Sequence, residues 1–588
     1  MKKWIIKNTK ADLDRLSKAL GQSKLICKVV SNRGFTEVGE IEHFLNPSLE
    51  NLHSPWRIKD METAVSLLER GIECGKHIRV VGDYDQDGIS STVILVRGLM
   101  KLGAKVSYDI PERTRDGYGI NKRIIDAAAA DGVDIIITCD NGISAAEEVG
   151  YAKSLGIDVV VTDHHDVPYV ETPEGMKEYR LPPADAVLNP KRHDCSYPFD
   201  GLCGAGVSFK LVQSLYEKRG FGAREMDEFY GFLALATVCD VMDLIGENRI
   251  FVKEGLQKLR DSSNLGLKSL IEETGLSGKA LGTYHLGFVL GPCINASGRL
   301  ETAKTAVELF LTSDRAEAEG KARTLKSLNE ERKELTQAGI DRIMERIEKN
   351  GTAHDKVIVA VDREVQESIA GIIAGRIKEK YNRPSIVVTA SKEEGLLKGS
   401  GRSIEEYNMF EEMSKHKELF EKFGGHPMAA GFSIPEENLD ELGYRLNRDS
   451  ELTEEDFVPK IYLDAHVPLD KIDISLPESL EILEPFGKGN SRPLFGDRGL
   501  KVRKMDLLGS SYRIFKFRLE KGDRAVEAVY FGDIEEMRNY LDSKFGTEEV
   551  ENALRGAENE LELDLVYYPS VNEFNGRRNL QIVIQDYR

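Results

Sequence analysis

The sequence predicts an α/β protein made of two α/β lobes joined by a long helix, with a small β-barrel toward the C-terminal end. Three observations lead there. Short Val- and Ile-rich runs alternate with helix-like segments between residues 78 and 162, the pattern of βαβ units in a parallel sheet. A polar stretch, about 314–349, carries Leu325, Leu328, Leu335, Ile340, Ile343 and Ile347 at near-helical spacing and reads as a connecting rod. From about residue 460 short β-rich runs replace the helical period.

Taken in order, residues 1–75 read as an N-terminal helical segment with turn signals at Asn46-Pro47 and Ser54-Pro55. The first lobe, 76–312, has strands expected at 78–81, 105–110, 134–138 and 158–162, helices at 89–102 and 122–130, and a mostly helical part from 205 onward. The connecting helix occupies 313–350. The second α/β lobe, 351–433, has strands expected at 356–361 and 384–389 around a helix near 368–381. The acidic stretch 434–460 reads as a linker. The barrel, 461–588, has strands expected at 512–519, 525–531, 561–568 and 580–586.

Charge sets limits on function. The 588 residues hold 80 Lys and Arg against 99 Asp and Glu, a formal charge of −19, which excludes a broad basic coat for nucleic acid. The charge is segregated, however. Residues 488–524 hold 11 basic and 4 acidic residues, a balance of +7, while 434–471 and 534–564 each sum to −7. No apolar run approaches the 18 or so residues of a membrane span, and the start has no secretory apolar core, so a cytoplasmic protein is expected. The seven cysteines are odd in number, widely spaced and free of C-x-x-C, which suggests reduced, buried thiols.

The chemistry collects at strand ends. Gly82-Asp83-Tyr84-Asp85-Gln86-Asp87-Gly88 follows the first strand, Thr138-Cys139-Asp140-Asn141-Gly142 the third, and Thr162-Asp163-His164-His165 the fourth, with Asp240 ending the apolar helix near 232–238. Ligands bind beyond the carboxyl ends of parallel strands, so these groups converge on one edge. Clustered carboxylates repel and raise each other's pKa, and divalent cations remove that cost. Asp and His without Cys favour Mn²⁺ or Mg²⁺. Asp85 and Asp87, two apart on an extended segment, leave on the same side and are spaced to bridge two cations about 4 Å apart, a geometry for attack of water on phosphorus. The D-x-D-x-D-G run also resembles the start of a calcium loop, but the position that needs Glu is Val93. Asp140 alone would read as a helix cap, and only the full set points to a metal centre.

These motifs resemble the DHH phosphoesterase family, named for Asp163-His164-His165, with Asp240 in Ala236-Thr-Val-Cys-Asp240 as its fourth motif. The second lobe resembles the associated DHHA1 domain through Lys398-Gly-Ser-Gly-Arg-Ser403 and Phe423-Gly-Gly-His-Pro-Met-Ala-Ala-Gly431. The last domain, with Pro485-Phe-Gly-Lys-Gly-Asn490 and Tyr568-Pro-Ser-Val-Asn-Glu-Phe-Asn-Gly576, resembles the OB-like, oligonucleotide-binding barrel of the family's single-strand-specific 5′→3′ DNA exonucleases. The resemblance implies two divalent cations, Mn²⁺ or Mg²⁺, held by Asp85, Asp87, Asp140, His164 and Asp240, with Asp83 and His165 beside them. It implies that Arg113, Asn295 and Arg299 face DNA phosphates, that Ser400 and Arg402 hold a 5′-terminal phosphate, and that His426 lies across the cleft. Lys488, Arg492, Lys501, Arg503, Lys504, Arg513, Lys516 and Arg518 would form a basic nucleic-acid track on the barrel.

The expected activity is release of 5′-mononucleotides from single-stranded DNA with a 5′ end, in repair and recombination, with a single-strand-binding protein and a helicase as further partners and no membrane. The alternatives are a phosphodiesterase of the same family acting on short oligoribonucleotides or cyclic dinucleotides, and a non-catalytic replication scaffold. The chain departs from the common family pattern at Val81, where His is frequent, at Cys293, where Arg is common, and at Val365-Gln366, which replaces a Trp-His pair.

Overall fold

The computed structural model describes residues 2–113, 115–172, 175–509, 514–574 and 576–588. It divides into two compact units, 49–457 and a second made of 1–48 with 458–588.

In the larger unit the first sheet is all parallel, in the order Lys105–Asp109, His77–Val81, Ile135–Cys139, Asp158–Thr162, Ala186–Leu188. Its strands are apolar on both faces because both are covered. Ile78, Val80, Ile135, Ile137 and Val160 enter one core, and Val81, Ile136, Val159 and Val161 the other. The chain leaves His77–Val81 in one direction and Ile135–Cys139 in the other, which makes the space between them the switch point where a crevice opens. The motif carboxylates follow those two strands.

Helices from Gly204–Lys218 to Lys304–Leu311 complete this lobe. Tyr230–Cys239 is apolar on every side and buried over most of its length. The connecting helix is Arg315–Asn350, capped by Asp314, whose carboxylate accepts from the Glu317 N–H at 2.8 Å. Its first half sends Ala318, Ala322 and Leu325 into the first lobe's core. Its second half sends Ile340, Ile343 and Ile347 into the second lobe's core.

The second lobe is a mixed five-stranded sheet ordered Lys422–His426, Ala429–Pro435, Leu396–Arg402, Ser385–Ala390, Ile358–Val361, with helix Glu367–Tyr381 packed on it. The stretch 434–460, read from its acidity as a linker, instead finishes this lobe. Leu442 and Leu446 of helix Leu439–Asp449, with Leu452 and Phe457, join the apolar core, and the carboxylates take the outer face.

The smaller unit holds a closed five-stranded barrel. Phe495–Leu508 pairs with both Ile514–Lys521 and Glu562–Phe574, and Arg524–Tyr530 pairs in parallel with Arg577–Tyr587. Two acidic helices not foreseen from the sequence, Ile534–Phe545 and Thr547–Arg555, lie between its third and fourth strands. The expected N-terminal helical segment also begins differently. Lys3–Ile6 is a strand paired in parallel with Lys460–Leu463, and the Trp4 indole N–H donates to Asp586 at 2.6 Å. A four-residue strand finds its partner more than 450 residues away, a pairing that local pattern cannot show. Cys27, Cys139, Cys203 and Cys293 are buried free thiols as expected, whereas Cys74 is exposed. Among the described residues no helix is long and apolar enough to cross a membrane.

Candidate active site

The loop after His77–Val81 runs straight into helix Gln86–Lys101. Asp85 caps that helix, its Oδ1 accepting from the N–H groups of Asp87 at 3.0 Å and Gly88 at 3.1 Å. The expectation that Asp85 and Asp87 share one side of an extended segment is therefore corrected. The orphan N–H groups of the first helical turn take Asp85, and Asp87 points instead to a second helix start. There it accepts from Gly204 N–H at 2.6 Å and Ala205 N–H at 2.7 Å. Only glycine fits at 204, since a Cβ would lie 2.6 Å from that of Asp140.

Seven of the expected groups converge. Asp83, Asp85 and Asp140 form one set, Asp87, His164 and Asp240 another, and Asp140, His164 and His165 a third, each with ligand atoms within 4.8 Å of one another. His164 Nε2 links the sets, 3.1 Å from Asp140, 3.6 Å from Asp87 and 3.7 Å from Asp240. Burial, then neighbouring carboxylates, pushes Asp83 and Asp140 far above the carboxylate range, Asp87 up to about 6 and Asp240 up to about 8. Burial, then the charge of His165, holds His164 down at about 3, the neutral form that ligates metal. One buried oxygen on each of Asp83 and Asp140 has no hydrogen-bond donor among the described residues. Buried, mutually repelling carboxylates with undonated oxygens around a neutral imidazole fit divalent cations of the Mn²⁺ or Mg²⁺ kind. Two backbone outliers sit at the same place, Asp140 at φ 60° and Val241, beside Asp240, at φ 56°. Such strain collects at functional sites.

Asp163 is not part of this set. Its Oδ1 accepts from the His164 N–H at 2.7 Å, the His165 N–H at 3.1 Å and the His165 ring Nδ1 at 2.7 Å, and its Oδ2 from Ile143 N–H at 2.9 Å. Burial opposes charge on His165, but the Asp163 bond and the surrounding carboxylates outweigh it and raise the imidazole to about 9. Tyr118, absent from the expected residues, donates to the Asp140 carbonyl at 2.7 Å and lies 3.2 Å from His165 Nδ1. The only signal for it was its place in Asp116-Gly-Tyr-Gly119, a glycine-flanked loop leading out of a strand.

Cations from both lobes lie beside this centre, Arg113 and Arg299 from the first and Arg402 from the second. The Arg299 guanidinium donates to the Ser368 carbonyl at 2.6 Å, at the start of helix Glu367–Tyr381, and Arg402 donates to Ser400 Oγ at 3.3 Å. Arg113 stacks over Tyr84 at 5.1 Å. Burial, then the charges of Arg113 and Arg332, lowers Arg299 to about 10. Asn295 Oδ1 accepts from Gln86 N–H at 2.7 Å, so it braces the carboxylate loop. A cavity of about 330 Å³ bounded by Arg113, Lys398, Ser400, Lys422 and Gly424 opens beside these groups. His426 stands apart from all three ligand sets. It is exposed, accepts from Met428 N–H at 3.3 Å, and is lowered by partial burial and then by the charge of Arg402. At the departures from the common pattern, buried Cys293 accepts from Asn329 at 3.5 Å, Val365 is buried in the second lobe, and Gln366 precedes helix Glu367–Tyr381.

On the barrel, Lys516 and Arg518 alternate with buried Phe515, Phe517 and Leu519 and so line its outer surface. Much of the basic island is paired there. Arg503 pairs with Glu520, Lys504 with Asp506 at 2.7 Å and Lys516 with Glu527 at 2.9 Å. Arg492 stands between the rings of Phe486 and Tyr568, at 4.7 and 4.9 Å. Lys501 and Arg518 have no ion pair among the described residues, and Arg513 lies outside them. Lys488 sits in the turn before the barrel.

Comparison with known proteins matches residues 77–237 to the DHH family, N-terminal domain, 354–448 to the DHHA1 domain and 463–586 to the RecJ OB domain. The single-stranded-DNA-specific exonuclease RecJ of Bacillus subtilis (strain 168) is 32% identical over 592 residues, covering 99% of this chain and 70% of that protein. Its Salmonella typhimurium counterpart is 32% identical over 586 residues, covering 96% and 95%. Among solved structures, RecJ of Thermus thermophilus with Mn²⁺ superposes with a TM-score of 0.81 at 29% identity, over 100% of this chain and 79% of that one. The Mg²⁺ form gives 0.75 at 28%, over 100% and 78%.

Proposed function

Since this chain belongs to the RecJ family of single-stranded-DNA-specific exonucleases, we propose that it is a metal-dependent exonuclease that digests single-stranded DNA from the 5′ end, releasing 5′-mononucleotides. The observation that carries the reading is the convergence of the sets Asp83–Asp85–Asp140, Asp87–His164–Asp240 and Asp140–His164–His165, with the charges of Arg113, Arg299 and Arg402 gathered beside them.

Asp85, Asp87, Asp140, His164 and Asp240, with Asp83, would hold two divalent cations, which when bound activate water and neutralise charge on the phosphoryl group. The chain's own residues do the rest. Asp163 fixes the ring of His165, which stands with Asp140 and His164 within reach of a cation or of a phosphate oxygen. Arg113 and Arg299 bind phosphates with guanidinium forks. Ser400 and Arg402, with Lys398 and Lys422 at the adjoining cavity, take the 5′-terminal phosphate. His426, beside Arg402, acts on that phosphate and not among the metal ligands. The barrel's basic residues and its Phe486–Arg492–Tyr568 stack hold further nucleotides.

The physiological setting we propose is cytoplasmic DNA repair and recombination, with a single-strand-binding protein and a helicase supplying the strand. The test compares 5′-phosphate, 5′-hydroxyl and 3′-labelled oligonucleotides, single-stranded and blunt duplex, with Mn²⁺ and Mg²⁺. Mononucleotides appearing first from the 5′ end of single strands are expected. Equal rates on blunt duplex, or release from the 3′ end, would overturn the reading.

A further inference from the structure

We propose that the cavity bordered by Lys398 and Lys422 is a polyphosphate site, which lets the enzyme take strands that end in a 5′-diphosphate or 5′-triphosphate and release the first residue with its phosphate chain intact. The site rests on the substrate reading above and extends it away from the strand, past the terminal phosphate.

The second lobe sets out side chains in rows. Residues two apart on a strand share a face, so Arg402, Ser400 and Lys398 stand in line along Leu396–Arg402. The sheet register carries each row across. Ala429 and His426 lie level with Arg402, Gly431 and Gly424 with Ser400, and Ser433 and Lys422 with Lys398. Arg299 feels the charges of both Arg402 and Asp85, so the Arg402 row is the end nearer the metal ligands. The Lys398 row is the far end, two residues or about 6.8 Å beyond Ser400. That step matches the reach of two phosphates added to a terminal one through anhydride links.

The space between these two rows is open. The cavity of about 330 Å³ takes in Ser400 and reaches Lys398, Lys422 and Ser433. Gly424 and Gly431 lie in its lining at the Ser400 level, and a Cβ at either would meet nothing within 4 Å. Neither has a positive φ, so backbone conformation does not call for glycine there. The two bare positions instead keep the floor clear for a ligand that approaches the backbone closely.

Charge fits an anion of more than one phosphate. Arg113, Lys398 and Lys422 border the cavity, and none of them has an ion pair among the described residues. Glu367 is the one carboxylate in the lining, and it is exposed. For a strand with a single terminal phosphate, the two lysines act only as a positive field beside Ser400 and Arg402. With a longer phosphate chain they become its direct partners through charge-assisted hydrogen bonds, and Glu367 meets the divalent cation that such chains carry.

The bond broken is the same as with a monophosphate end. The hydroxyl of water joins the phosphorus between the first and second residues, the bond from that phosphorus to O3′ of the first residue breaks, and O3′ takes up the proton. The shortened strand keeps a 5′-monophosphate. The first residue leaves with its anhydride bonds uncut.

The test uses the full chain in Mn²⁺ and three oligo(dT) 20-mers that differ only in a 5′-hydroxyl, 5′-monophosphate or 5′-triphosphate, with products separated by anion exchange. The triphosphate strand should be digested at a rate comparable to the monophosphate strand, with dTTP as the first product and dTMP thereafter. Lys398→Ala/Lys422→Ala should lower kcat/KM on the triphosphate strand about tenfold more than on the monophosphate strand, and Lys398→Arg/Lys422→Arg should restore the ratio. Gly424→Val, whose side chain enters the open floor, should also act more strongly on the triphosphate strand. If the monophosphate strand is digested while the triphosphate strand resists, or first yields pyrophosphate or a triphosphorylated dinucleotide, the polyphosphate site is overturned and the exonuclease reading stands. Equal losses on both strands in the alanine variant overturn it as well. A native chain that digests none of the three overturns both.

Discussion

Asp163 and His165 are joined twice, by the backbone N–H at 3.1 Å and by the ring Nδ1 at 2.7 Å, both to the same carboxylate oxygen. The first residue of the Asp-His-His triplet thus aims the third, while the second turns to the carboxylate cluster. Asp163→Asn keeps the size but not the charge, and its amide nitrogen cannot accept from the Ile143 N–H as the second carboxylate oxygen does. The expected result is a fall in kcat of about 10–100-fold, the usual cost of losing an orienting carboxylate, with little change in KM. Steady-state kinetics on a 5′-phosphorylated single strand provides the check.

Asp240 is held near 8 by burial and by the charges of Asp87 and Asp85. At neutral pH without metal, the folded chain must keep this carboxyl largely protonated although the unfolded chain would ionise it, which is a burden on the fold. Asp240→Asn should therefore raise the Tm of the metal-free protein by about 1–3 °C. It should also abolish the Mn²⁺-induced rise, which for the native chain amounts to about 2.7 kcal/mol at a hundredfold excess over Kd. Differential scanning fluorimetry with EDTA and with Mn²⁺ separates the two effects. A lower Tm in EDTA would contradict the electrostatic account.

Gly371, on helix Glu367–Tyr381, lies so close to the second lobe's sheet that a Cβ would stand 2.6 Å from the Arg402 guanidinium and 2.8 Å from Ser400 Oγ. Gly371→Ala should displace both side chains without disturbing the core, since the atoms met are flexible ends. KM for 5′-phosphorylated strands should rise about tenfold, as expected for roughly 1.4 kcal/mol of lost phosphate contact, and the advantage of 5′-phosphate over 5′-hydroxyl should shrink. Equal KM in the variant and the native chain would argue that Ser400 and Arg402 do not read the terminal phosphate.

On the barrel, Lys501 and Arg518 are free of ion pairs among the described residues, whereas Arg503 is committed to Glu520. Replacing Lys501 and Arg518 by Ala should each lower the slope of log K against log salt by about one, while Arg503→Ala should change it less. Affinity titrations between low and moderate salt measure this.

Much of the two-lobed unit was legible because its signals are local. The run 158–162 and the helix 122–130 follow from period alone. The connecting helix announced itself through apolar spacing, and the structure adds the Asp314 cap at its start. The acidic stretch 434–460 misled because charge was weighed above Leu442 and Leu446, whose burial decides the helix. Asp85 misled because an Asp at a helix start serves the backbone first. Tyr118 carries no pattern of its own, and only its neighbours in space make it notable.

Two α/β lobes on a long helix, a barrel after them, and the residue types of the metal centre were determined by the sequence by itself. Hydrophobic period and strand-end chemistry are written within windows of about ten or twenty residues. The tertiary structure alone decided which carboxylates share a ligand set, that Asp163 orients instead of ligating, that much of the barrel's basic island is paired, and that Lys3–Ile6 is a strand. The physical reason is that ligand sets, ion pairs and strand partners depend on distances of a few ångströms between residues tens to hundreds of positions apart, and no local pattern carries such distances.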